Sequence, residues 1–164
     1  MTLYLIAGPN GAGKSTFLAN LLQEGKIPEA EYVSQGFHNA NYFSKMDLTV
    51  ENNKLKKFIY YKIDKLIANG KSIIFEHALS KNDVFRIINK AKAKGYRIVT
   101  YYFTTPSPLT NISNIKKRVD QGGHPCNHFK VMYRYFIALA NYSRVKKVSD
   151  SLFIIDNDFL YEIK

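Results

Sequence analysis

The stretch that decides the fold is residues 3–16, LYLIAGPNGAGKST, in which a short hydrophobic run passes directly into a glycine-rich loop. The loop matches the pattern G-x-x-x-x-G-K-[ST], and the residues after it have helical spacing. In such a unit the backbone N–H groups and the positive end of the helix dipole converge on one anion. The stretch therefore predicts a phosphate-binding strand–loop–helix unit.

The individual loop positions indicate how the phosphates are held. Gly8 allows a tight turn out of the strand, and Gly11 and Gly13 let the backbone approach the phosphates without a Cβ in the way. We expect Lys14 to reach the β- and γ-phosphates of ATP and Ser15 to ligate Mg²⁺. The residues expected to bind the nucleotide are Gly8, Pro9, Asn10, Gly11, Ala12, Gly13, Lys14, Ser15 and Thr16.

Beyond the loop, short apolar runs alternate with longer segments of helical periodicity. This order predicts an α/β P-loop fold with a mostly parallel five-stranded sheet and helices on both faces. Strands are predicted at residues 3–7, 31–35, 72–75, 97–103 and 152–155, and helices at 15–23, 50–70, 84–95, 108–121 and 127–147. We expect residues 1–164 to form a single domain, with ligands at the carboxyl ends of the strands.

The composition favours an intracellular protein that binds anions. Its 24 basic and 13 acidic residues give a formal net charge of +11. Such a charge attracts nucleotides, phosphorylated sugars, nucleic acid or an acidic protein, and a solvated lysine face explains it equally well. Cys126 is the only cysteine, so no internal disulfide forms. Because neither a leader nor a membrane-spanning run is evident, we expect a cytoplasmic protein without membrane contact.

Polar residues at the end of the third predicted strand are candidates for the active site. Glu76 ends that strand, where a P-loop protein can place a carboxylate beside Mg²⁺ or the substrate. His77 and Ser80 follow in the same loop, and we expect them to line the cleft, although a lone histidine is more often a satisfied polar residue.

A predicted lid contains two arginines. Arg118 and Arg134 flank a glycine pair, 122–123, which would serve as the hinge of a lid spanning about residues 108–134. Arginines that close over the transferring phosphoryl group stabilise its charge, whereas the alternative is pairing with surface carboxylates.

Two other patterns carry less information. His124, Cys126 and His128 superficially suggest a metal site, but no second half of a zinc motif accompanies them, so we predict none. Residues 156–158, Asp-Asn-Asp, are either a base-binding loop or a simple turn.

Taken in order, these segments resemble the zeta-toxin-like P-loop kinases. Besides the loop, the similar segments are FEHALS (75–80), AKAKGYRIV (91–99), RVDQGGH (118–124), Arg134-Tyr135 and IIDND (154–158). The resemblance implies phosphorylation of the sugar 3′-hydroxyl of UDP-N-acetylglucosamine with ATP and Mg²⁺, and an antitoxin partner. It also implies that Lys14 is the phosphate-loop lysine, Arg118 and Arg134 clamp phosphate, and Glu76 contacts the substrate.

The chain departs from the family pattern at three positions. Asn41 stands where the family has the aspartate that accepts the proton of the attacking hydroxyl, so it would bind the acceptor without acting as a base. Ala78 replaces a threonine, and Asn114 replaces an arginine, of many members. Loss of a base costs about 10²–10⁴-fold in rate. Either turnover is slow or Asp47 or Glu76 takes that role.

Three functions therefore stay open. The first is a kinase for a nucleotide sugar or a similar small hydroxyl substrate. The second is a kinase for another metabolite, a nucleoside or a polynucleotide end, and the basic charge makes the polynucleotide version worth testing. The third is a catalytically impaired ATP-binding protein that regulates a partner, which Asn41 favours.

Overall fold

The computed structural model describes residues 1–24, 30–34, 51–122, 126–156 and 159–162. The strands are β1 (Thr2–Ala7), β2 (Glu31–Ser34), β3 (Ile73–His77), β4 (Arg97–Thr104), β5 (Ser151–Asp156) and β6 (Phe159–Glu162). The helices are α1 (Lys14–Gln23), α2 (Glu51–Ala68), α3 (Asp83–Ala93), α4 (Pro108–Asp120) and α5 (His128–Val148). Within the described ranges, no helix is long and apolar enough to cross a membrane.

All six strands join one sheet in the order β2-β3-β1-β4-β5-β6. The first five are parallel, which confirms the predicted α/β class with its mostly parallel sheet. The sixth is an addition, because β6 pairs antiparallel to β5, with Asp156 opposite Phe159. Sequence periodicity missed β6 because four residues are at the lower limit at which an alternating pattern can be recognised.

Helices cover both faces of the sheet, as predicted. Because side chains alternate along a strand, β1 sends Leu3 and Leu5 into a large core cluster and Ile6 to the opposite face. The large cluster also contains Ile63 of α2 and Ile87 of α3. The smaller cluster, which includes a residue of α1, consists of Ile6, Leu18, Ile74, Phe103 and Ile155.

The strand order determines what surrounds the glycine-rich loop. Strand β1 lies between β3 and β4, and its last residue, Ala7, is in register with His77 and Tyr102. The loop therefore leaves the sheet between the end of β3, which carries Glu76, and the end of β4, which leads into α4.

Candidate active site

The glycine-rich loop is closely packed against β4 and α4. Gly8 and Gly11 have φ values of 140° and 81°, which other residues rarely adopt. A Cβ on Gly8 would lie 2.3 Å from the carbonyl oxygen of Phe103, and one on Gly11 would lie 2.6 Å from that of Asn111. The absent Cβ of Gly11 thus allows α4 to approach the loop, a packing requirement that the sequence analysis did not include.

Lys14 is buried at the centre of the loop, with only 6% of its surface exposed. Its Nζ donates hydrogen bonds to the carbonyl oxygens of Gly8 and Pro9, both at 2.9 Å. Burial lowers the pKa of Lys14 to about 8; the Glu76 carboxylate opposes this shift and the positive charge of Arg118 adds to it. A buried ammonium group whose charge is disfavoured in this way is stabilised by an added anion.

A carboxylate lies beside the loop serine. Ser15 Oγ donates a hydrogen bond of 2.9 Å to Glu76 Oε1, and the Tyr32 hydroxyl donates one of 3.0 Å to Glu76 Oε2. Glu76 is 8% exposed. The sequence points to Ser15 and Glu76 separately and gives no signal for Tyr32, because a tyrosine in a short strand has no pattern that distinguishes it from a core aromatic.

The Ser15 hydroxyl and the Glu76 carboxylate suit Mg²⁺. Both are hard oxygen ligands, and Mg²⁺ in phosphate-transfer sites takes one or two carboxylates together with substrate phosphates and water. It therefore does not need a cluster of several acidic or imidazole side chains, and none occurs among the described residues. The donor set fits the magnesium ion expected with ATP.

Two asparagines of α4 hold the loop from the other side. Asn111 is fully buried; its Nδ2 donates to the carbonyl oxygen of Asn10 at 2.7 Å, and its Oδ1 accepts a hydrogen bond from the Thr105 hydroxyl. Asn114 Nδ2 donates to the carbonyl oxygen of Gly11 at 2.9 Å. The sequence analysis missed Asn111, although a polar residue on the buried side of a helix is a signal that it makes specific hydrogen bonds.

The two predicted clamp arginines differ in their relation to the loop. Arg118 lies one turn beyond Asn114 on α4, and its charge acts on Lys14. Arg134 is half-buried on α5, and across the described residues no hydrogen bond or ion pair joins it to the loop. Its neighbour Tyr135 donates a hydrogen bond to the carbonyl oxygen of Thr105 at 2.9 Å. A role for Arg134 in the clamp stays a prediction.

His77 is not a cleft residue, contrary to the sequence analysis. It is the last residue of β3, it is 1% exposed, and both of its ring nitrogens are engaged. Nδ1 accepts from the backbone N–H of Leu79 at 2.9 Å, so Nε2 carries the proton and faces Asp83 Oδ1 at 3.1 Å. The expectation failed because β3 continues through His77 and the chain then turns back on its side chain. Ser80 is half-buried in the segment that follows.

Of the remaining candidate residues, the structure describes some and not others. Thr16 is exposed in the first turn of α1, and Asp156 is half-buried at the end of β5. The predicted residues that lie outside the described ranges are Asn41, Asp47, Gly123, His124, Asn157 and Asp158.

A parallel sheet whose first strand opens into this kind of lysine-containing loop is the architecture of the P-loop kinases. The family model for zeta toxin matches residues 47–159, and the chain belongs to the zeta toxin family. The matched residues include Glu76, Arg118 and Arg134, whereas the loop at residues 8–16 precedes them.

Several solved structures are similar to this chain. The structure of the PezAT chromosomal toxin-antitoxin system of Streptococcus pneumoniae has a TM-score of 0.72 at 18% identity, covering 98% of this chain and 71% of that chain. The AvrRxo1-ORF1:-ORF2 structure with ATP has a TM-score of 0.66 at 16% identity, covering 99% and 57%. Deoxyadenosine kinase from M. mycoides with bound dCTP has a TM-score of 0.59 at 20% identity, covering 96% and 91%.

No curated protein matches the chain in sequence. At these identities the solved structures show the fold, and the family membership supports an ATP-dependent kinase.

Proposed function

We propose that the chain transfers the γ-phosphoryl group of ATP to a hydroxyl of a nucleotide sugar such as UDP-N-acetylglucosamine. The observation that carries the proposal is the buried Lys14, whose pKa is lowered to about 8 in a place that the charge of Arg118 also reaches. Two cations held so close to a loop of converging N–H groups favour a multiply charged anion. The nucleotide-sugar acceptor comes from the resemblance of residues 75–80 and 118–124 to the zeta-toxin pattern.

The loop binds the phosphates of ATP through its N–H groups and through Lys14. An anion beside Lys14 offsets the cost of burying its charge, so binding energy is concentrated at the β- and γ-phosphates. When bound, Mg²⁺ neutralises charge on those oxygens. Ser15 and Glu76 would hold it, and Tyr32 keeps the Glu76 carboxylate in place. The sequence left open whether Glu76 lies beside Mg²⁺ or beside the substrate, and these hydrogen bonds favour the position beside Mg²⁺.

In the transfer step, the acceptor oxygen bonds to the γ-phosphorus while the bond from that phosphorus to the β–γ bridging oxygen breaks. Negative charge spreads over the phosphoryl oxygens, and Arg118 stabilises it. The proton of the acceptor hydroxyl must leave. Asn41 cannot take it, and Glu76 has both oxygens engaged by Ser15 and Tyr32. Asp47 is then the remaining candidate that the sequence suggests.

The proposed cofactors are ATP and Mg²⁺. We also propose that residues 1–164 form one domain with a lid over about residues 108–134. The Streptococcus pneumoniae relative is part of a toxin-antitoxin system, and this supports an antitoxin protein as a partner of the present chain. Cytoplasmic location is proposed because the single cysteine, Cys126, suits a reducing compartment.

Measuring ATP consumption with and without a panel of UDP-sugars tests the proposal. We expect turnover that depends on a UDP-sugar, is abolished in Lys14→Met and rises in Asn41→Asp, because an aspartate restores a proton acceptor. Turnover that requires a different hydroxyl compound, such as a nucleoside or an oligonucleotide end, would show that the nucleotide-sugar acceptor is wrong and that the kinase activity is right.

A second candidate function is nucleotide-dependent regulation without catalysis, and Asn41 in place of the expected aspartate favours it. Tight ATP binding without turnover, in the wild type and in Asn41→Asp alike, would support this candidate and contradict the kinase proposal.

A further inference from the structure

Helix α5 is apolar on two opposite sides. Its buried residues are Val131, Tyr135, Ala138, Asn141 and Val145, which pack toward the body of the protein. Its exposed apolar residues are Phe129 (81% exposed), Met132 (36%), Tyr133 (68%), Phe136 (56%) and Leu139 (50%). At 3.6 residues per turn, this second set falls within an arc of about 120° on the side opposite the first. We call the second set the α5 outer face.

The α5 outer face is large for a surface that stays in water. If a large apolar side chain offers roughly 200 Å² when fully exposed, the five residues together expose on the order of 500 Å². This is near the upper end of the apolar patches found on soluble monomers, and such patches are often binding sites. The sequence of α5 therefore indicates a surface that another molecule covers.

The charges around the α5 outer face are almost entirely positive. Helix α5 contains no aspartate or glutamate, and its exposed lysines are Lys130, Lys146 and Lys147. The adjacent helix α4 adds the exposed Lys116 and Lys117, and its one acidic residue is Asp120. Two copies of this chain meeting through α5 would bring these like charges together, whereas an acidic partner would complement them.

We propose that the α5 outer face binds an acidic amphipathic helix of another protein. The apolar residues recur at i, i+3, i+4, i+7 and i+10, which is the spacing of a helix that packs lengthwise against another helix. Between Phe129 and Leu139 they extend over about 15 Å, or roughly three turns. Phenylalanine, tyrosine and methionine are also the residue types enriched at protein interfaces.

Single-stranded nucleic acid fits the same face less well. Its bases would stack on Phe129, Tyr133 and Phe136, and its phosphates would meet the lysines. Stacked bases would leave the aliphatic side chains of Met132 and Leu139 at the edge of the contact, whereas a helix would cover the whole arc. The geometry therefore favours the protein partner, and nucleic acid is an outcome that the experiment distinguishes.

The test uses three fluorescently labelled probes, titrated with the full chain in the absence of ATP. The first is a designed helical peptide with leucines on one face and flanking glutamates. The second is the same peptide with lysines in place of the glutamates, and the third is a single-stranded RNA oligonucleotide. We expect the acidic peptide to bind at least about tenfold more tightly than the basic one, and added salt to weaken it.

Matched variants locate the binding surface. Phe136 and Phe58 are 56% and 57% exposed, and both lie on helices, but Phe58 belongs to α2. We expect Phe136→Ser to weaken the acidic peptide about tenfold or more and Phe58→Ser to leave it unchanged. Tyr133→Ser is a second variant on the α5 outer face, and because Tyr133 is 68% exposed the substitution removes little buried surface. Thermal unfolding confirms that each variant is folded.

Three results would overturn the proposal. One is equal affinity for the acidic and basic peptides, and another is equal loss of binding in Phe136→Ser and Phe58→Ser. The third is that the oligonucleotide binds more tightly than the acidic peptide and that Phe136→Ser abolishes this binding, which would identify a nucleic-acid surface. Because nothing is measured with ATP, these outcomes are independent of the proposed kinase reaction.

Discussion

The side chains of Ser15 and Glu76 are 61 positions apart in the sequence and are joined by a hydrogen bond of 2.9 Å. The serine lies in the first turn of α1 and the glutamate lies near the end of β3, so the bond exists because β1 and β3 are neighbouring parallel strands. It places a hydroxyl and a carboxylate side by side where the phosphates of a nucleotide are expected. The account of the site depends on this pairing and on the buried lysine beside it.

The hydrogen bond between Ser15 and Glu76 predicts how the reaction depends on magnesium. Glu76→Gln keeps the size of the side chain and removes its charge, so we expect a higher Mg²⁺ concentration for half-maximal turnover while metal-free ATP binds as well or better. Tyr32→Phe removes only one hydrogen bond to Glu76 and should have the same effect more weakly. An unchanged magnesium requirement in Glu76→Gln would contradict the proposed role of Glu76.

Replacement of the loop lysine should separate activity from stability. Lys14→Met retains most of the volume of the side chain, removes a buried charge and loses the hydrogen bonds to Gly8 and Pro9. We expect no ATP turnover, together with a free energy of unfolding that is unchanged or higher near neutral pH, because the charged form of Lys14 is disfavoured in the folded protein. A large fall in the thermal midpoint would contradict this description of the loop.

Because Lys14 is buried, we expect it to take up a proton when the nucleotide binds. The pKa of Lys14 is lowered from 10.5 to about 8 in the protein, and the phosphates of ATP should raise it again. At about pH 9 the free protein therefore holds Lys14 mostly neutral, and the complex holds it mostly protonated. Calorimetric titrations in two buffers of different ionisation enthalpy should reveal net proton uptake, with an ATP affinity that falls as the pH rises above about 8.

The same pKa determines how stability changes with pH in the absence of nucleotide. The folded pKa lies below the unfolded value, so between about pH 8 and 10.5 the unfolded chain binds more protons at this position than the folded protein does. The contribution of Lys14 to the free energy of unfolding should therefore rise with pH across that window. The Lys14→Met variant is the control for this stability measurement, because it should lack the rise.

The hydrogen bond from Asn111 to the loop should affect both stability and catalysis. Asn111→Ala leaves the carbonyl of Asn10 and the hydroxyl of Thr105 without this buried partner, which costs about 1–3 kcal/mol of the free energy of unfolding. We also expect a lower kcat, because α4 carries Arg118. Asn114→Ala removes an exposed bond to the same loop and should change stability by less than about 0.5 kcal/mol. Equal effects of the two substitutions would contradict the assignment of Asn111 as the buried anchor of α4.

The two arginines should differ in their effect on the reaction. We expect Arg118→Ala to lower kcat more than it weakens ATP binding, because in the proposed clamp its charge acts on the transferring phosphoryl group. Steady-state kinetics combined with a direct measurement of ATP affinity distinguishes the two effects. A pure binding defect would argue against a transition-state role. Arg134→Ala, measured in parallel, tests the remaining part of the predicted clamp.

The sequence was informative where the chemistry is local. The loop at residues 8–16 is recognisable because consecutive residues must supply the turn, the cation and the metal ligand together. The alternation of apolar strands and helices likewise predicted the parallel sheet. The position of Glu76 followed from the rule that ligands lie at the carboxyl ends of parallel strands.

Contacts between distant segments could not be read in the same way. The bonds from Tyr32 to Glu76 and from Asn111 to Asn10 depend on which strands and helices become neighbours, and one sequence does not reveal this. The error at His77 has a different origin, since strand ends are the least determined part of a periodic pattern. Because β3 extends one residue beyond the predicted strand end at Glu76, an expected cleft residue becomes a buried structural one.

Calorimetric titration of the pure protein with Mg²⁺ and ATP tests the central claim most directly. The account predicts saturable uptake of the magnesium nucleotide by the wild type, lost in Lys14→Met while that variant stays folded. Absence of uptake by the wild type at millimolar concentrations, or equal uptake by the two proteins, would contradict nucleotide binding at the loop.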